Sequence, residues 1–104
     1  MANNWNIPAW LEAEIRERDK SCVYCGAEFT PAKTSKKTCA SWEHIINDES
    51  IISRENIALC CCGCNSSKGQ KQLSIWLLSN YCKELGITPK SVSQVVKDAI
   101  ARGL

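Results

Sequence analysis

Two Cys-x-x-Cys pairs constrain this chain more than any other feature of its sequence. The first is Cys22-Val-Tyr-Cys25, and the second, Cys61-Cys-Gly-Cys64, follows after 35 residues. A two-residue spacer lets both thiolates of a pair reach one ion, and zinc prefers four such ligands in a tetrahedron. We therefore predict a structural zinc site formed by Cys22, Cys25, Cys61 and Cys64.

Four of the eight cysteines lie outside these pairs. Because neighbouring side chains of a strand point to opposite faces, Cys60 and Cys62 would face away from Cys61. A buried thiol packs as a small apolar group. We therefore expect these four cysteines to serve packing rather than metal binding: Cys39, Cys60, Cys62 and Cys82.

A disulfide framework is the alternative explanation for cysteines at this density. Residues 1–10 lack the basic region, the apolar region and the cleavage site of a secretory signal. We therefore expect a cytoplasmic protein, where thiols stay reduced and patterned cysteines usually bind metal. The alternative, a disulfide-stapled secreted domain, predicts no zinc and no free thiols.

Length and composition indicate one small globular domain. A chain of 104 residues fits a single domain with a limited core, for which a metal site is a useful staple. The sequence is 44% apolar and 23% charged, which excludes a disordered chain. No apolar run approaches the roughly 18 residues of a membrane span, so we expect no membrane partner.

Charge is distributed unevenly along the chain. Residues 41–59 carry four acidic and one basic side chain, whereas residues 60–104 carry six basic and two acidic ones. A nucleic-acid enzyme combines basic surface for phosphates with carboxylates that hold a cation. The net charge is only +2, so an ordinary solvated surface stays an alternative.

Residue patterns predict an α+β fold. We expect a helix over residues 8–19, a strand within residues 38–46, a second strand over residues 57–61, and a helix from residue 62 or 63 to about residue 69. Two further helices are predicted in the C-terminal third, over residues 73–85 and over residues 88–103, with Thr88 as the N-cap of the last.

The only histidine lies among polar residues that could form a catalytic site. Glu43 precedes His44 at the end of the first predicted strand, Asn56 opens the second, and Asn65 follows the zinc ligand Cys64. Glu43 and Asn65 offer hard oxygens for Mg²⁺ or Mn²⁺. His44 offers a base near neutral pH, although a lone histidine is more often a structural or surface residue.

In combination these motifs resemble the HNH endonuclease family. The similarity is carried by residues 16–26, by Glu43-His44-Ile45 and by residues 56–69, and it spans about residues 10–70. It implies the ββα-metal fold and metal-dependent hydrolysis of DNA phosphodiester bonds. By this resemblance His44 activates the attacking water, Asn56 orders the loop that positions it, and Glu43 and Asn65 hold the catalytic Mg²⁺ or Mn²⁺.

The sequence departs from the family pattern at two positions. Glu43 stands where aspartate is commoner, which adds one methylene and could favour Mn²⁺. Asn65 stands in the place of the last histidine, a substitution that the family accepts and that makes the site oxygen-ligated. Neither change removes a necessary group.

The resemblance also frames the expected contacts with DNA. Lys68 is a candidate phosphate contact and Arg54 a weaker one, with a solvated surface position as the alternative for each. Residues 71–104 form a predicted helical hairpin that either covers the core or, as a helix-turn-helix, presents four side chains to DNA: Ser91, Ser93, Gln94 and Lys97.

The predicted architecture is thus an N-terminal helix, a ββα-metal core with a Cys₄ zinc site, and a C-terminal helical hairpin in a single domain over residues 1–104. The predicted function is DNA endonuclease. A nicking monomer and a homodimer that cuts both strands both stay open, and the alternative function is a non-catalytic zinc-ribbon module that binds DNA.

Overall fold

The computed structural model describes residues 5–31, 33–34 and 37–103. The N-terminal and C-terminal ends of the predicted domain, residues 1–4 and 104, lie outside the described residues. Seven elements follow one another along the chain: α1 (Ala9–Arg18), β1 (Ala40–His44), β2 (Ile57–Cys61), α2 (Cys62–Lys68), α3 (Leu73–Trp76), α4 (Asn80–Leu85) and α5 (Gln94–Ala101). The predicted α+β class is confirmed, and β1, β2 and α2 form its ββα core.

The two strands form an antiparallel pair at the centre of the protein. Ala40 pairs with Cys61 and His44 with Ile57, and all five residues of β2 are buried. Because side chains alternate along a strand, Ile57 and Leu59 face one apolar cluster while Ala58 and Cys60 face the other. Both faces of the sheet are therefore covered.

Helix α1 covers the face of the sheet that carries Ile57 and Leu59. Its buried residues Leu11 and Ile15 join this cluster, and its bounds agree with the prediction to within one residue. Asp19 follows the helix, and its carboxylate accepts a hydrogen bond from the Leu59 backbone amide at 3.1 Å. This bond ties the end of α1 to the central strand.

The opposite face of the sheet is covered by the second Cys-x-x-Cys pair and helix α2. Cys61 is the N-cap of α2, and its Sγ accepts a hydrogen bond from the Cys64 amide at 3.4 Å. Gly69 ends the helix with φ of +50°, close to the predicted end. The short helix places Cys64, Asn65 and Lys68 against the strands.

The prediction of a single helix over residues 73–85 is wrong, because the chain forms two short helices there. α3 ends at Trp76 and α4 begins at Asn80. Ser79 between them is extended, and its hydroxyl caps α4 by accepting a hydrogen bond from the Cys82 amide. The stop at Gly86 is confirmed, since its φ of +70° suits glycine.

The last helix begins five residues later than the predicted N-cap at Thr88 implies. Thr88 instead closes a turn, in which its hydroxyl accepts hydrogen bonds from the amides of Lys90 and Ser91. Ser93 is the N-cap, and its own amide donates to the Val23 carbonyl at 2.9 Å. A contact with a distant segment therefore sets where α5 begins.

This geometry differs from the predicted helical hairpin and its helix-turn-helix version. The connection between α4 and α5 runs from Gly86 to Ser93, whereas a helix-turn-helix has a turn of about three or four residues. Ser91 belongs to this connection, and the Ser93 hydroxyl is buried. Gln94 bonds Asp98 on the exposed side of α5, where Lys97 is also exposed.

None of the helices described between residues 5 and 103 is both long and apolar enough to cross a membrane.

Candidate metal centre and catalytic site

The four cysteines of the two Cys-x-x-Cys pairs meet at one point. Their Sγ atoms all lie within 4.8 Å of one another, and Cys25 and Cys61 are 3.7 Å apart. Zinc–sulfur bonds of about 2.3 Å in a tetrahedron require sulfur atoms just under 4 Å apart. The tetrad of Cys22, Cys25, Cys61 and Cys64 is thus positioned to bind a metal ion, and its thiols suit zinc.

Hydrogen bonds to the sulfur atoms favour the ionised form of one tetrad cysteine, Cys22. The amides of Tyr24 and Cys25 point to Cys22 Sγ, and the Tyr81 hydroxyl donates to Cys64 Sγ at 3.4 Å. A hydrogen bond with Cys64, together with backbone amides, lowers the pKa of Cys22 to about 5. Burial raises the pKa of Cys25 to about 11, and the hydrogen bond with Cys22 raises the pKa of Cys64. Metal binding requires thiolates, so Cys22 is the tetrad member that ionises first, and a bound cation must displace the protons of its partners.

The cysteines outside the tetrad divide into two kinds. Cys60 and Cys82 are fully buried in the apolar cluster on the zinc side of the sheet, as their expected packing role requires. Cys39 and Cys62 are only half-buried. None of the four belongs to a group of metal-ligating side chains among the residues that the structure describes.

Glu43 lies beneath helix α2, where its side chain is 5% exposed. The Tyr24 hydroxyl donates a hydrogen bond to Oε2 at 2.5 Å, and the Lys68 ammonium lies 3.1 Å from the same oxygen. Burial raises the pKa of this carboxyl group, and the Lys68 charge opposes that rise. The Tyr24 hydroxyl and the Lys68 ammonium thus meet the same oxygen of Glu43.

Asn65 lies over the same face of β1 as Glu43. Its Nδ2 donates to the Ser41 hydroxyl at 3.0 Å and to the Trp42 carbonyl at 3.1 Å. Ser41 and Glu43 face the same side because they are two residues apart on one strand. The structure therefore brings Asn65 to the face that carries Glu43, but it gives the two side chains separate partners.

His44 is the last residue of β1, and its ring packs edge-on against Trp5 with centroids 5.1 Å apart. Its Nε2 is buried and has no hydrogen-bond partner. Burial lowers the pKa of the imidazole, while Glu49 and Asp48 of the following loop oppose this effect. Burial thus favours the neutral imidazole, and the strand alternation turns the ring away from the Glu43 side.

Asn56 fixes the loop that follows His44. Its Oδ1 accepts a hydrogen bond from the Ile46 amide at 2.6 Å, and its Nδ2 donates to the carbonyls of Ile46 and Ile51. The Asn56 carbonyl in turn accepts from the Ile45 amide. One buried side chain therefore holds both ends of the turn directly behind the histidine.

The two residues predicted to touch phosphate have protein partners. Lys68 is fully buried, and besides Glu43 its ammonium contacts the His44 carbonyl at 3.4 Å. Lys68 is therefore an internal partner of β1 in this structure rather than an exposed cation. Arg54 is exposed, and its guanidinium makes two hydrogen bonds with the Glu14 carboxylate.

Sequence reasoning missed Tyr24 as a neighbour of this site. It is the second spacer residue of the first Cys-x-x-Cys pair, and it is buried against Trp76 as well as Glu43. The only signal was the presence of an aromatic hydroxyl inside a metal-binding turn, which does not reveal its partner.

The donor set partly fits a catalytic divalent cation. Glu43 and Asn65 present carboxylate and carboxamide oxygens, the ligands that Mg²⁺ prefers. Since the amide hydrogens of Asn65 point to β1, Oδ1 is left for another partner. The Lys68 ammonium already balances the Glu43 charge, so a cation would share this carboxylate with Lys68.

A comparison with known proteins finds a distant relative. The chain is 28% identical over 91 residues, or 85% of its length, to the CRISPR-associated endonuclease Cas9 of Corynebacterium diphtheriae. The aligned region is 7% of that protein, so the chain spans only a small part of the relative it matches. No protein-family model and no solved structure matches the chain.

Proposed function

We propose that this chain is an HNH-type endonuclease domain that hydrolyses DNA phosphodiester bonds with the help of a divalent cation. One observation carries the proposal: the buried Nε2 of His44 has no hydrogen-bond partner at the end of the ββα core. Leaving a buried polar atom unpaired costs about 1–3 kcal/mol, so such an atom often serves a ligand. The similarity to a protein named an endonuclease supports the same function.

His44 is the proposed general base. A base must be unprotonated before it can accept a proton from water, and burial lowers the pKa of this imidazole. The unpaired Nε2 is the atom that accepts the proton from the attacking water. Trp5 packs against the ring and limits the orientations it can adopt.

Asn56 is a positioning residue in this proposal. Its three hydrogen bonds to the loop backbone hold residues 46–51 in one conformation behind His44. The Asn56 side chain does not itself contact the reacting atoms.

Glu43 and Asn65 are the proposed ligands of the catalytic Mg²⁺ or Mn²⁺. Such an ion, when bound, stabilises the negative charge that develops on the phosphate and on the leaving oxygen. Lys68 holds the Glu43 carboxylate in place on the α2 side of β1. Arg54 stays a proposed phosphate contact, for which DNA would compete with Glu14.

Cleavage of supercoiled plasmid by the full chain tests this function. We expect conversion to open-circle or linear DNA with Mg²⁺ or Mn²⁺ and none with EDTA. His44→Ala should lower the cleavage rate by about 100-fold to 10,000-fold, the usual contribution of a general base. Glu84→Gln, which removes an exposed charge on α4, is the matched control and should cleave normally.

Two results would contradict the proposal. One is equal cleavage by His44→Ala and the unmodified chain, which would assign the nuclease to other residues or to a contaminant. The other is the absence of cleavage with every divalent cation by a folded, zinc-loaded protein. Zinc content and the circular dichroism spectrum of each variant establish that it is folded.

A second candidate function is a non-catalytic zinc module that binds DNA. The pairing of Glu43 with Lys68 favours this function, because the buried Lys68 ammonium already neutralises the carboxylate that a catalytic cation would bind. This function predicts that the chain retards DNA in a gel without cutting it, and that added Mg²⁺ leaves the binding unchanged.

A further inference from the structure

Cys39 and Cys62 face each other at the end of the β1–β2 pair. The register that joins Ala40 to Cys61 places Cys39 opposite Cys62 when it is extended by one residue. The Cys62 amide donates to the Cys39 carbonyl at 2.9 Å, so a backbone hydrogen bond joins the two residues just beyond the paired strands. The two thiol groups are also hydrogen-bonded to each other.

This spacing is compatible with a disulfide bond. Directly opposed residues in an antiparallel pair have Cα atoms about 5.5 Å apart when they share backbone hydrogen bonds. Disulfides join residues whose Cα atoms are about 4.4–6.8 Å apart. The expected Cα separation of Cys39 and Cys62 therefore falls within the range of disulfide bonds.

The pair is accessible, unlike the other cysteines that lie outside the tetrad. Cys39 and Cys62 are half-buried, whereas Cys60 and Cys82 are fully buried. Cys62 also lines an open cavity of about 700 Å³, which the tetrad cysteines Cys25 and Cys61 line as well. A small disulfide reagent can reach this site from solvent.

The pair is also separate from the zinc tetrad. Each tetrad sulfur lies within 4.8 Å of the other three, and neither Cys39 nor Cys62 belongs to that group. Along the chain Cys62 lies between two tetrad cysteines, yet its thiol pairs with Cys39 across the strands. Oxidation of this pair therefore need not remove a zinc ligand.

We propose that Cys39 and Cys62 form a redox-active thiol site that closes to a disulfide in the presence of a low-molecular-weight disulfide such as oxidised glutathione. One thiolate attacks a sulfur of glutathione disulfide, which forms a mixed disulfide and releases one glutathione thiolate. The second thiolate then attacks the protein sulfur and releases the other glutathione. Two cysteine sulfurs are oxidised, two glutathione sulfurs are reduced, and the protons of the cysteines pass to the glutathione thiolates.

The bond would link the residue before β1 to the first residue of α2. That helix carries the zinc ligand Cys64 and the proposed cation ligand Asn65. Oxidation thus locks the junction between the sheet and α2, whether or not the domain is a nuclease.

Treatment of the zinc-loaded full chain with oxidised glutathione tests the proposal. We expect a mass loss of two hydrogen atoms, a tryptic peptide pair joined through Cys39 and Cys62, and an unchanged zinc content by elemental analysis. Cys39→Ser and Cys62→Ser should each abolish the internal bond and instead accumulate a glutathione adduct. Cys82→Ser, in which the pair is intact, is the control and should form the bond.

Peptide mapping of the unmodified chain identifies directly which cysteines are joined, so the test does not depend on variants that fold poorly. The proposal is overturned by zinc release that accompanies the bond, by a bond that includes a tetrad cysteine, or by thiols that stay reduced when the reagent is in excess. A stable glutathione adduct on the unmodified chain would equally overturn it, because an opposed partner thiol should resolve the adduct.

Discussion

Lys68 and Glu43 form an ion pair that is almost entirely removed from solvent, with Nζ of the lysine 3.1 Å from Oε2 of the carboxylate. The pair joins the last residue of α2 to the strand β1 that precedes it in the core. Lysine is rarely buried to this degree unless it is paired. The ion pair therefore fixes how α2, with Asn65 and Cys64, sits on the sheet.

Replacement of Lys68 by methionine should destabilise the protein strongly. Methionine fills a similar volume but leaves the Glu43 carboxylate buried without its cation, and loss of one partner of a buried pair costs about 3–5 kcal/mol. We expect a loss of this size in the free energy of unfolding, measured by urea denaturation of the zinc-loaded chain. Lys71→Met, at an exposed lysine whose ammonium bonds the Ser67 carbonyl, is the control and should change stability by about 0.5 kcal/mol or less.

The double variant separates charge from shape at this position. Adding Glu43→Gln to Lys68→Met removes both charges and should recover most of the lost stability, since neutral replacement of a whole buried pair is often tolerated. If the double variant is as unstable as Lys68→Met alone, the ion pair is not the cause of the loss.

The sequence could predict the tetrad but not this ion pair. Cys22 with Cys25, and Cys61 with Cys64, carry their spacing in the local sequence, and the metal geometry supplies the long-range link. No comparable local pattern connects Lys68 to Glu43 or to Tyr24. A lysine next to a proposed active site is expected at the surface, so its burial is found only once α2 is placed on β1.

Removal of zinc should unfold the core. The tetrad joins the turn after α1 to the start of α2, and structural zinc contributes about 10–16 kcal/mol to such sites near neutral pH. We expect one zinc ion per chain and loss of the near-ultraviolet signal of buried Trp76 when a strong chelator is added. Cys22→Ser should lose zinc, whereas Cys39→Ser, a cysteine outside the tetrad, should retain it. Equal zinc content in the two variants would show that the tetrad is not the metal site.

Asn56→Ala should loosen the loop behind His44. The substitution leaves the Ile46 amide and two loop carbonyls without the partners they have now, at a cost of about 1–3 kcal/mol. We expect faster hydrogen exchange at the Ile46 amide, measured by NMR, with smaller changes in α1. Asn47→Ala is the control, because Asn47 is an exposed asparagine in the same loop. Unchanged exchange in Asn56→Ala would remove the positioning role that we propose for this side chain.

The C-terminal third shows how tertiary contacts override local signals. Thr88 and Pro89 form a good helix start by sequence, and the buried residues Val92, Val96 and Ala99 agree with the predicted apolar stripe. The helix nevertheless starts at Gln94, because the Ser93 amide bonds Val23 next to the zinc site. The stripe thus predicted which side chains are buried, while the position of the helix N-terminus depends on a segment far away in the sequence.

Gly63→Ala should weaken zinc binding through crowding rather than through loss of a ligand. A Cβ atom at Gly63 would lie 3.2 Å from the Tyr81 hydroxyl and 3.3 Å from the Lys37 carbonyl. The Lys37 carbonyl also accepts a hydrogen bond from the Gly63 amide, so it has little freedom to move. The Tyr81 hydroxyl donates a hydrogen bond to Cys64 Sγ, so its displacement would disturb a tetrad sulfur. We expect a loss of about 1–3 kcal/mol in unfolding free energy, typical of overpacking, and a lower affinity for zinc in a chelator competition titration. Ser66→Ala, at an exposed position of the same helix, should change neither quantity measurably.

The Tyr81→Phe variant shows how the effect reaches the metal site. If Tyr81→Phe alone reproduces the weaker zinc affinity, the effect passes through the hydrogen bond from Tyr81 to Cys64 Sγ. If Gly63→Ala binds zinc as tightly as the unmodified chain, close packing at this glycine is not required for the metal site.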